Sequence, residues 1–279
     1  MNLADTPAGP SWLQINVEFD HWNSAEQVAV AHLSPLCRDA AATGLISAWF
    51  FIRKSPCWRL RLQPACDLAI QDARDFVHTR LNTLHGAGSI TQWVDTLYEP
   101  ENHAFGGPAA MDIAHTLFHQ DSQHILNYLA SGRATTSAGG RDQRREITML
   151  LCGILMRAAG QDWYEQGDIW ARVREHRTLR PDTPIDHLDK AESDLRRLMT
   201  VDTTPLLQGN GSLAFLADWA TAFETAGTEL SDLARNGTLH RGLRAVLAHH
   251  VIFTWNRIGL SHATQSVLAN VATTVVLGS

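Results

Sequence analysis

Arginines cluster in one short hairpin of the sequence, FIRKSPCWRLRL (51–62). Arg59 and Arg61 lie two residues apart in a predicted strand, so their side chains project from the same face. Arg53, just before the turn, is expected to join them. Like charges repel, and an anionic or carbonyl-rich ligand would give these guanidinium groups a reason to lie together. The alternative is a solvated outer face of the sheet, on which the arginines pair with Glu18.

A second group of polar residues lies in YEPENHAFGGPAAMDIAHTLFHQDS (98–122). Tyr98 and His103 precede a Phe-Gly-Gly break, and a predicted helix follows it. When this helix is projected at about 100° per residue, Asp121 falls within the apolar stripe and Ser122 lies at its edge. A carboxylate on the core face is costly unless it is paired. Asp121 is therefore either a structural acceptor for backbone or arginine groups or part of a site, and both alternatives stay open.

A third group lies on a late helix, LRAVLAHHVIFTWNRIGLS. His250, Thr254 and Arg257 are spaced about one turn apart on an otherwise apolar face. Such an arrangement is typical of a buried polar network or of the wall of a site. Asn256 lies off this stripe. Its neighbour Trp255 could anchor or stack on a ring of the substrate.

The histidines of HTLFHQDSQH raise the question of a metal. His115 and His119 lie four residues apart on one helical face, a spacing that can hold zinc. No acidic or cysteine side chain lies in register with them, so a solvated pair is the favoured interpretation. GAGSIT and GNGSLA do not complete a dinucleotide fingerprint. The sequence predicts no metal and no cofactor.

The elements that must position these residues predict an α+β fold. An N-terminal, mostly antiparallel sheet with flanking helices is followed by a larger helical portion. LQINVEF (13–19) alternates as a strand, and Ser24 with Gln27 is typical of a capping box that begins a helix ending near Ala42. A hairpin (46–63), a helix (65–84) and a strand or strand pair (89–100) follow. Helices are predicted over about 108–130, 141–159, 162–176, 185–200, 211–236, 238–258 and 261–277, with loops at 131–142 and 203–212. A single domain, 1–279, is the simplest account.

Composition limits the classes of partner. The chain has 279 residues, 44% hydrophobic and 19% charged, as is ordinary for a soluble protein. Its net charge of −6 argues against a nucleic-acid partner. No apolar run reaches the roughly 18 residues of a membrane span, and the first residues do not resemble a signal peptide. The four cysteines are scattered, as expected of reduced thiols in the cytoplasm.

Four stretches together resemble a known family: WLQINVEF, AWFFIRKSPCWRLRL, YEPENHAFGG…MDIAHTLFHQDS and HHVIFTWNRIGLS. They occur in the order seen in the C-terminal domain of lantibiotic dehydratases and its stand-alone versions in thiopeptide gene clusters. The resemblance covers nearly the whole chain and implies work on ribosomally made, modified peptides. One branch of the family eliminates glutamate from glutamylated Ser or Thr. The other joins two dehydroalanines in a formal [4+2] aza-cycloaddition, which loses water, expels the leader peptide and leaves a pyridine in a macrocycle.

Three departures separate the branches. Eliminating members carry an arginine in an ERYGG-like stretch, where this chain has Ala104. They carry a histidine four residues before the late asparagine, where this chain has Ile252. A PHLRLR-like hairpin has become CWRLRL, with Trp58 for the histidine. Because removing glutamate needs a carboxylate clamp and a proton carrier, the resemblance favours the pyridine synthases.

The resemblance fixes no catalytic residue, so the candidates rest on the faces described above. Proton transfer and carbonyl positioning are assigned to Tyr98, His103, Asp121, Ser122 and His250. Binding of the substrate is assigned to Arg53, Arg59, Arg61, Trp255, Asn256 and Arg257.

Two other functions stay open. One is a glutamate-elimination subunit that uses different residues. The other is a non-catalytic module that binds the leader peptide and presents the precursor to partner enzymes. In each case the expected partner is a precursor peptide with leader and core, with no nucleic acid or membrane, and a homodimer is an open alternative.

Overall fold

The computed structural model describes residues 12–134, 142–179 and 185–278, and it confirms the α+β fold. The loop predicted over 131–142 lies for the most part outside these ranges. The described chain forms two compact units. One contains residues 12–99 and 122–133, and the other contains the remaining described residues from 100 onward.

The first unit contains a four-stranded antiparallel sheet with the strand order β2-β3-β1-β4. The strands are β1 (Leu13–Glu18), β2 (Ile46–Lys54), β3 (Cys57–Pro64) and β4 (Gln92–Thr96). Ile15 pairs with Leu60 and Val17 with Trp58, so one face is apolar, and all four side chains are buried. Alternation of side chains along a strand explains this face.

Helices α1 (Ala25–Val28), α2 (Ser34–Ala42) and α3 (Ile70–Gly86) belong to the same unit, with a π-helical stretch between α1 and α2 at Ala29–Leu33. α2 and α3 pack against each other, α2 also against β2 and α3 against β4. The predicted capping box is wrong. Ser24 has helical backbone angles at the end of a 3-10 turn, and its hydroxyl donates to the His21 carbonyl at 2.8 Å instead.

The second unit is helical. The bounds are α4 (Asn102–Phe105), α5 (Pro108–Ala130), α6 (Arg144–Ala158), α7 (Trp163–His176), α8 (Ile185–Thr200), α9 (Thr204–Leu207), α10 (Ala217–Arg235), α11 (Leu243–Ile258) and α12 (His262–Leu277). α10 packs on α6, and α7 packs on α11 and α12. All seven predicted helices are present: α5 and α8 begin at the predicted residue, and the other five begin one to six residues later. Two short helices, α4 and α9, were not predicted.

The division between the units falls within α5, after Asp121. None of the helices in the described part of the chain combines the length and apolar character that crossing a membrane requires. All four cysteines are free thiols, as predicted.

Candidate functional site

Asp121 and Arg257 form a fully buried ion pair in the second unit. Arg257 Nε donates to Asp121 Oδ2 at 2.6 Å, and both side chains have no solvent exposure. The indole Nε1 of Trp219 donates to the other carboxylate oxygen at 2.8 Å. The Arg257 guanidinium also lies 4.2 Å from the ring centroid of Phe118 and donates to Thr254 Oγ1 at 3.4 Å. The structure therefore favours the structural interpretation of Asp121 and explains the predicted polar stripe on α11.

His250 lies in the same apolar interior. Its ring is fully buried, with its centroid 5.0 Å from that of Phe105 and 6.0 Å from that of Phe118. Within the described residues, neither ring nitrogen has a hydrogen-bond partner. Burial, together with the charges of Arg257 and His249, lowers the pKa of His250 to about 3. A neutral ring without solvent access does not fit the expected exchange of protons with a peptide.

Three further candidates have structural contacts. The Ser122 hydroxyl is buried and accepts a hydrogen bond from the backbone N–H of Phe51, on the outer strand β2, at 3.3 Å. Trp255 is fully buried and stacks on Trp170. It is therefore not accessible to a substrate ring, contrary to the expectation from the sequence. Asn256 keeps partial exposure, and its Oδ1 accepts from Gln265 Nε2 at 3.1 Å.

The Phe-Gly-Gly turn is held against the connection between α10 and α11. Gly106 and Gly107 have φ values of 92° and 107°, a region that favours glycine. A Cβ atom on Gly106 would lie 2.6 Å from Leu239 Cδ1, and one on Gly107 would lie 2.7 Å from His240 Nδ1. The backbone N–H of His240 donates to the Gly106 carbonyl at 2.8 Å. Only glycines permit this close approach of the two segments.

Arg241 places a guanidinium group beside this turn. Its Nη1 donates to the Ala104 carbonyl at 3.0 Å and lies 3.5 Å from His249 Nδ1. The His249 ring meets that of His176, at the end of α7, edge to face at 5.6 Å between centroids. Arg177 follows directly, donating to the His176 carbonyl. Two arginines and two histidines thus meet in what we call the Arg–His cluster: His176, Arg177, Arg241 and His249.

The cluster is partly shielded from water. Burial lowers the pKa of His249, and Arg241, His176 and Arg177 lower it further, whereas the hydrogen bond with the Ala245 carbonyl opposes these effects. Burial also lowers the pKa of Arg177. Arg177 Nε donates to Gln265 Oε1 at 2.6 Å, so the cluster is connected through Gln265 to Asn256. The arrangement is suited to an oxygen atom that carries or gains negative charge.

In the first unit, the sheet register confirms that Arg59 and Arg61 share a face, because they pair with Asn16 and Gln14. Arg61 is buried at 4% exposure and its Nε donates to Gln14 Oε1 at 2.7 Å. Its guanidinium lies 4.1 Å from the ring centroid of Tyr98. A solvated outer face is therefore wrong for Arg61.

Arg53 does not join them. It pairs with Trp58 across the hairpin, which places it on the opposite face of the sheet. Its guanidinium lies 4.5 Å from a ring centroid of Trp58 and forms an ion pair with Glu26. The expected partner of the arginines, Glu18, accepts a hydrogen bond from Gln92 instead.

Arg59, Tyr98 and His103 differ in their exposure to solvent. Arg59 is half-buried and makes no hydrogen bond or ion pair with the described residues. Tyr98 keeps 8% of its surface exposed, with Trp12 and Phe50 packed edge-on against its ring. His103, on α4 in the second unit, is exposed.

Residues 12–276 match the sequence profile of the family described as lantibiotic biosynthesis dehydratase C-term. The chain belongs to this family. The sequence has no significant match among curated proteins.

Solved structures of other proteins share the fold of this chain. The tRNA dependent lantibiotic dehydratase MibB from Microbispora sp. 107891 has a TM-score of 0.72 and 19% identity, over 99% of this chain but 29% of that chain. TsrL has a TM-score of 0.64 and 14% identity, over 95% of this chain and 94% of its own. The pyridine synthase TbtD from thiomuracin biosynthesis has a TM-score of 0.63 and 13% identity, over 95% and 97%. This chain thus spans less than a third of MibB, and at these identities the likeness concerns the fold alone.

Sequence reasoning missed the Arg–His cluster of this family member. Arg241 lies in a connection without periodicity, and its contact with Ala104 joins residues 137 positions apart. The adjacent histidines of LAHHV could have indicated the cluster, but only His250 became a candidate residue because it lies on the apolar stripe. His249 is the member of that pair that keeps partial exposure.

Proposed function

We propose that this protein is a thiopeptide pyridine synthase. It joins two dehydroalanines of a leader-bearing, azole-containing peptide by a formal [4+2] aza-cycloaddition. Water and the leader peptide are lost, and a pyridine forms at the centre of a macrocycle. Membership of the lantibiotic dehydratase C-terminal family supports a peptide-modifying role. The likeness in fold to TbtD, over 97% of that chain, is compatible with it.

The main support for the proposal comes from the three residues of this chain that stand where eliminating relatives have their histidines and arginine. Ile252 replaces the motif's histidine and is buried at 7% exposure. Trp58 replaces the hairpin histidine and is stacked on Phe51, with ring centroids 4.6 Å apart. Ala104 replaces the arginine. An aliphatic chain, a buried indole and a methyl group provide neither a proton carrier nor a carboxylate clamp of their own.

The proposed reaction asks for positioning and proton transfer. One dehydroalanine and the amide carbonyl before it act as a 2-azadiene in the iminol form, and the other dehydroalanine supplies two carbons. Holding the two alkenes in contact can contribute about 7–11 kcal/mol. Because the eliminations of water and leader make the ring aromatic, the reaction needs no redox cofactor. The proposed substrate is a precursor peptide in the cytoplasm.

Burial divides the candidate residues into two groups. Those with exposed surface are proposed to contact the peptide, and the buried ones to support the site. The first group is Arg59, His103 and Asn256. The second is Arg53, Arg61, Tyr98, Asp121, Ser122, His250, Trp255 and Arg257.

The test is incubation of the purified protein with a leader-bearing azole peptide that carries two dehydroalanines, followed by mass spectrometry. A macrocycle that has lost water and leader, together with free leader peptide, is expected. Leader binding without any conversion, measured by fluorescence anisotropy, would instead identify a non-catalytic presenting module. A peptide with the leader but no dehydroalanine controls for nonspecific cleavage.

Glutamate elimination is the second candidate, and one contact favours it. Arg241 brings a guanidinium to the Ala104 carbonyl, next to the position where eliminating relatives have their arginine. Incubation with a glutamylated peptide tests this function directly. Release of free glutamate with formation of new dehydroalanine would replace the pyridine synthase proposal.

A further inference from the structure

His249 makes two contacts through Nδ1, and they ask for opposite tautomers. Nδ1 lies 3.1 Å from the carbonyl oxygen of Ala245, one turn earlier on α11, and 3.5 Å from Arg241 Nη1, which can only donate. We assign the proton to Nδ1 because the contact with the carbonyl oxygen, which can only accept, is the shorter of the two. In the neutral ring Nε2 is then the atom with a free lone pair. Within the described residues Nε2 has no hydrogen-bond partner, and the ring is partly exposed.

Arg241 has N–H groups beside this ring that make no hydrogen bond to a described residue. Its Nη1 contacts the Ala104 carbonyl and the edge of the His249 ring. Its Nη2 group makes no hydrogen bond to any residue in the described ranges, and no carboxylate there pairs with Arg241 or Arg177. A guanidinium and a neutral imidazole thus lie side by side with an unprotonated ring nitrogen.

The charges around His249 keep the ring neutral. Arg241 faces it from the α10–α11 connection, His176 and Arg177 from the end of α7, and His250 lies next to it on α11. Burial opposes protonation of the ring, as do the charges of Arg241, His176 and Arg177, and together they outweigh the hydrogen bond to the Ala245 carbonyl, which favours it. His249 is therefore a base that is ready to accept a proton at neutral pH and that returns it readily, as general acid–base catalysis requires.

We propose that Arg241 and His249 are a catalytic pair that converts the substrate amide before one dehydroalanine into its iminol. This inference rests on the proposed function, because only the iminol is a 2-azadiene. Arg241 donates to the amide oxygen, and His249 Nε2 takes the proton from the amide nitrogen of the dehydroalanine. Electrons shift from nitrogen towards the oxygen, and the imidazolium then gives its proton to that oxygen. The net change is the transfer of one proton from nitrogen to oxygen, and no other reactant is needed.

The closing experiment uses two peptides. The full substrate carries two dehydroalanines. A half substrate carries one dehydroalanine with its preceding amide and cannot cyclise. Wild-type protein is expected to accelerate deuterium exchange at the dehydroalanine N–H of the half substrate, measured by NMR. In His249→Gln and Arg241→Gln, exchange and macrocycle formation are both expected to fall about 100-fold.

Matched variants separate chemistry from folding. Arg235→Gln and His85→Gln remove exposed side chains of the same types and should keep wild-type rates. Arg241→Lys keeps the charge without the planar fork and should recover part of the rate. Peptide affinity should change less than threefold in His249→Gln, whereas disruption of the fold would weaken binding as well as turnover.

Different results would contradict the proposed function and the catalytic pair. If wild-type protein does not cyclise the full substrate, the proposed function is wrong. If wild-type protein cyclises it and His249→Gln and Arg241→Gln do so at the same rate, the catalytic pair alone is wrong. Absence of accelerated exchange with the half substrate, despite normal cyclisation, would also overturn the pair.

Discussion

Asp121 and Arg257 lie 136 residues apart in the sequence and meet as a fully buried ion pair, with 2.6 Å between Oδ2 and Nε. Trp219, on α10, donates to the other carboxylate oxygen, and Phe118 lies beneath the guanidinium. Helices α5, α10 and α11 therefore share one polar centre within an apolar interior. A buried pair of this kind specifies how helices align, and loss of one partner leaves an uncompensated charge.

Asp121→Asn and Arg257→Met should each destabilise the protein by about 3–5 kcal/mol. The double variant should lose less than the sum, because the second substitution removes the charge that the first one left unpaired. Urea unfolding followed by fluorescence measures these changes. Asp232→Asn, which breaks an exposed pair with Arg235, is the control and should leave stability nearly unchanged. Additive effects of Asp121→Asn and Arg257→Met would contradict the coupling.

His250 should make the protein sensitive to acid. Its pKa falls from about 6.5 in the unfolded chain to about 3 in the folded one, because burial disfavours the cation. The folded state holds the neutral ring, so this contribution to stability is complete above pH 6.5 and is lost as the pH falls towards 3. Each pH unit in this window corresponds to about 1.4 kcal/mol.

His250→Leu removes this titration. Between pH 7.5 and pH 5 the wild type should lose about 2 kcal/mol more of its unfolding free energy than the variant does. Urea unfolding at several pH values measures the difference. His85→Leu, at an exposed position of α3, should follow the wild-type curve. Parallel curves for the wild type and His250→Leu would show that His250 does not contribute.

Gly106→Ala tests the Phe-Gly-Gly turn. The new methyl group would meet Leu239 Cδ1 at 2.6 Å, at a φ value of 92°. We expect a loss of at least about 2 kcal/mol of stability, because backbone strain and a steric clash add. Macrocycle formation should slow as well, since Leu239 belongs to the connection that carries Arg241.

Gly86→Ala is the matched control for this turn. Gly86 ends α3, and no heavy atom lies within 4 Å of an added Cβ. This variant should be as stable as the wild type or gain up to about 1 kcal/mol. Thermal unfolding compares the two glycine variants, and equal stabilities would show that the turn tolerates displacement of Leu239.

Local periodicity predicted the faces of elements better than their partners. Alternation along β3 placed Arg59 and Arg61 on one face, and the helical stripe placed Asp121 on the core side of α5, as the structure confirms. The prediction that Arg53 joins them was wrong for a geometric reason. The hairpin pairs it with Trp58, and a residue shares its face with its cross-strand partner, so it lies opposite Arg59.

Contacts between distant segments could not be predicted from one sequence. Arg257 reaches Asp121 and Arg241 reaches Ala104 only after the helices of the second unit have packed. Periodicity measures the burial of a face and carries no information on which helix covers it. The predicted site therefore contained buried structural residues such as Trp255 and omitted the partly exposed His249.

Arg59 and Arg61 offer a direct comparison of a supporting arginine with one proposed to bind the peptide. Arg61 donates to the buried Gln14 and covers the Tyr98 ring, whereas Arg59 has no such bond within the described residues. Arg61→Gln should cost about 2 kcal/mol of stability, since it removes a charged hydrogen bond and a cation–π contact. Arg59→Gln should cost less than about 0.5 kcal/mol.

Peptide binding should be affected more by the substitution of Arg59 than by that of Arg61, the opposite of the order expected for stability. Arg59→Gln should weaken binding of the labelled precursor about tenfold, which corresponds to about 1.4 kcal/mol, the scale of one charged hydrogen bond. Urea unfolding and fluorescence anisotropy measure the two properties on the same samples. Lys54→Gln, on the same hairpin, removes an equal charge from an exposed position and should bind the precursor as the wild type does. Normal affinity in Arg59→Gln would remove this arginine from the proposed substrate contacts, because its partial exposure would then have no role in binding.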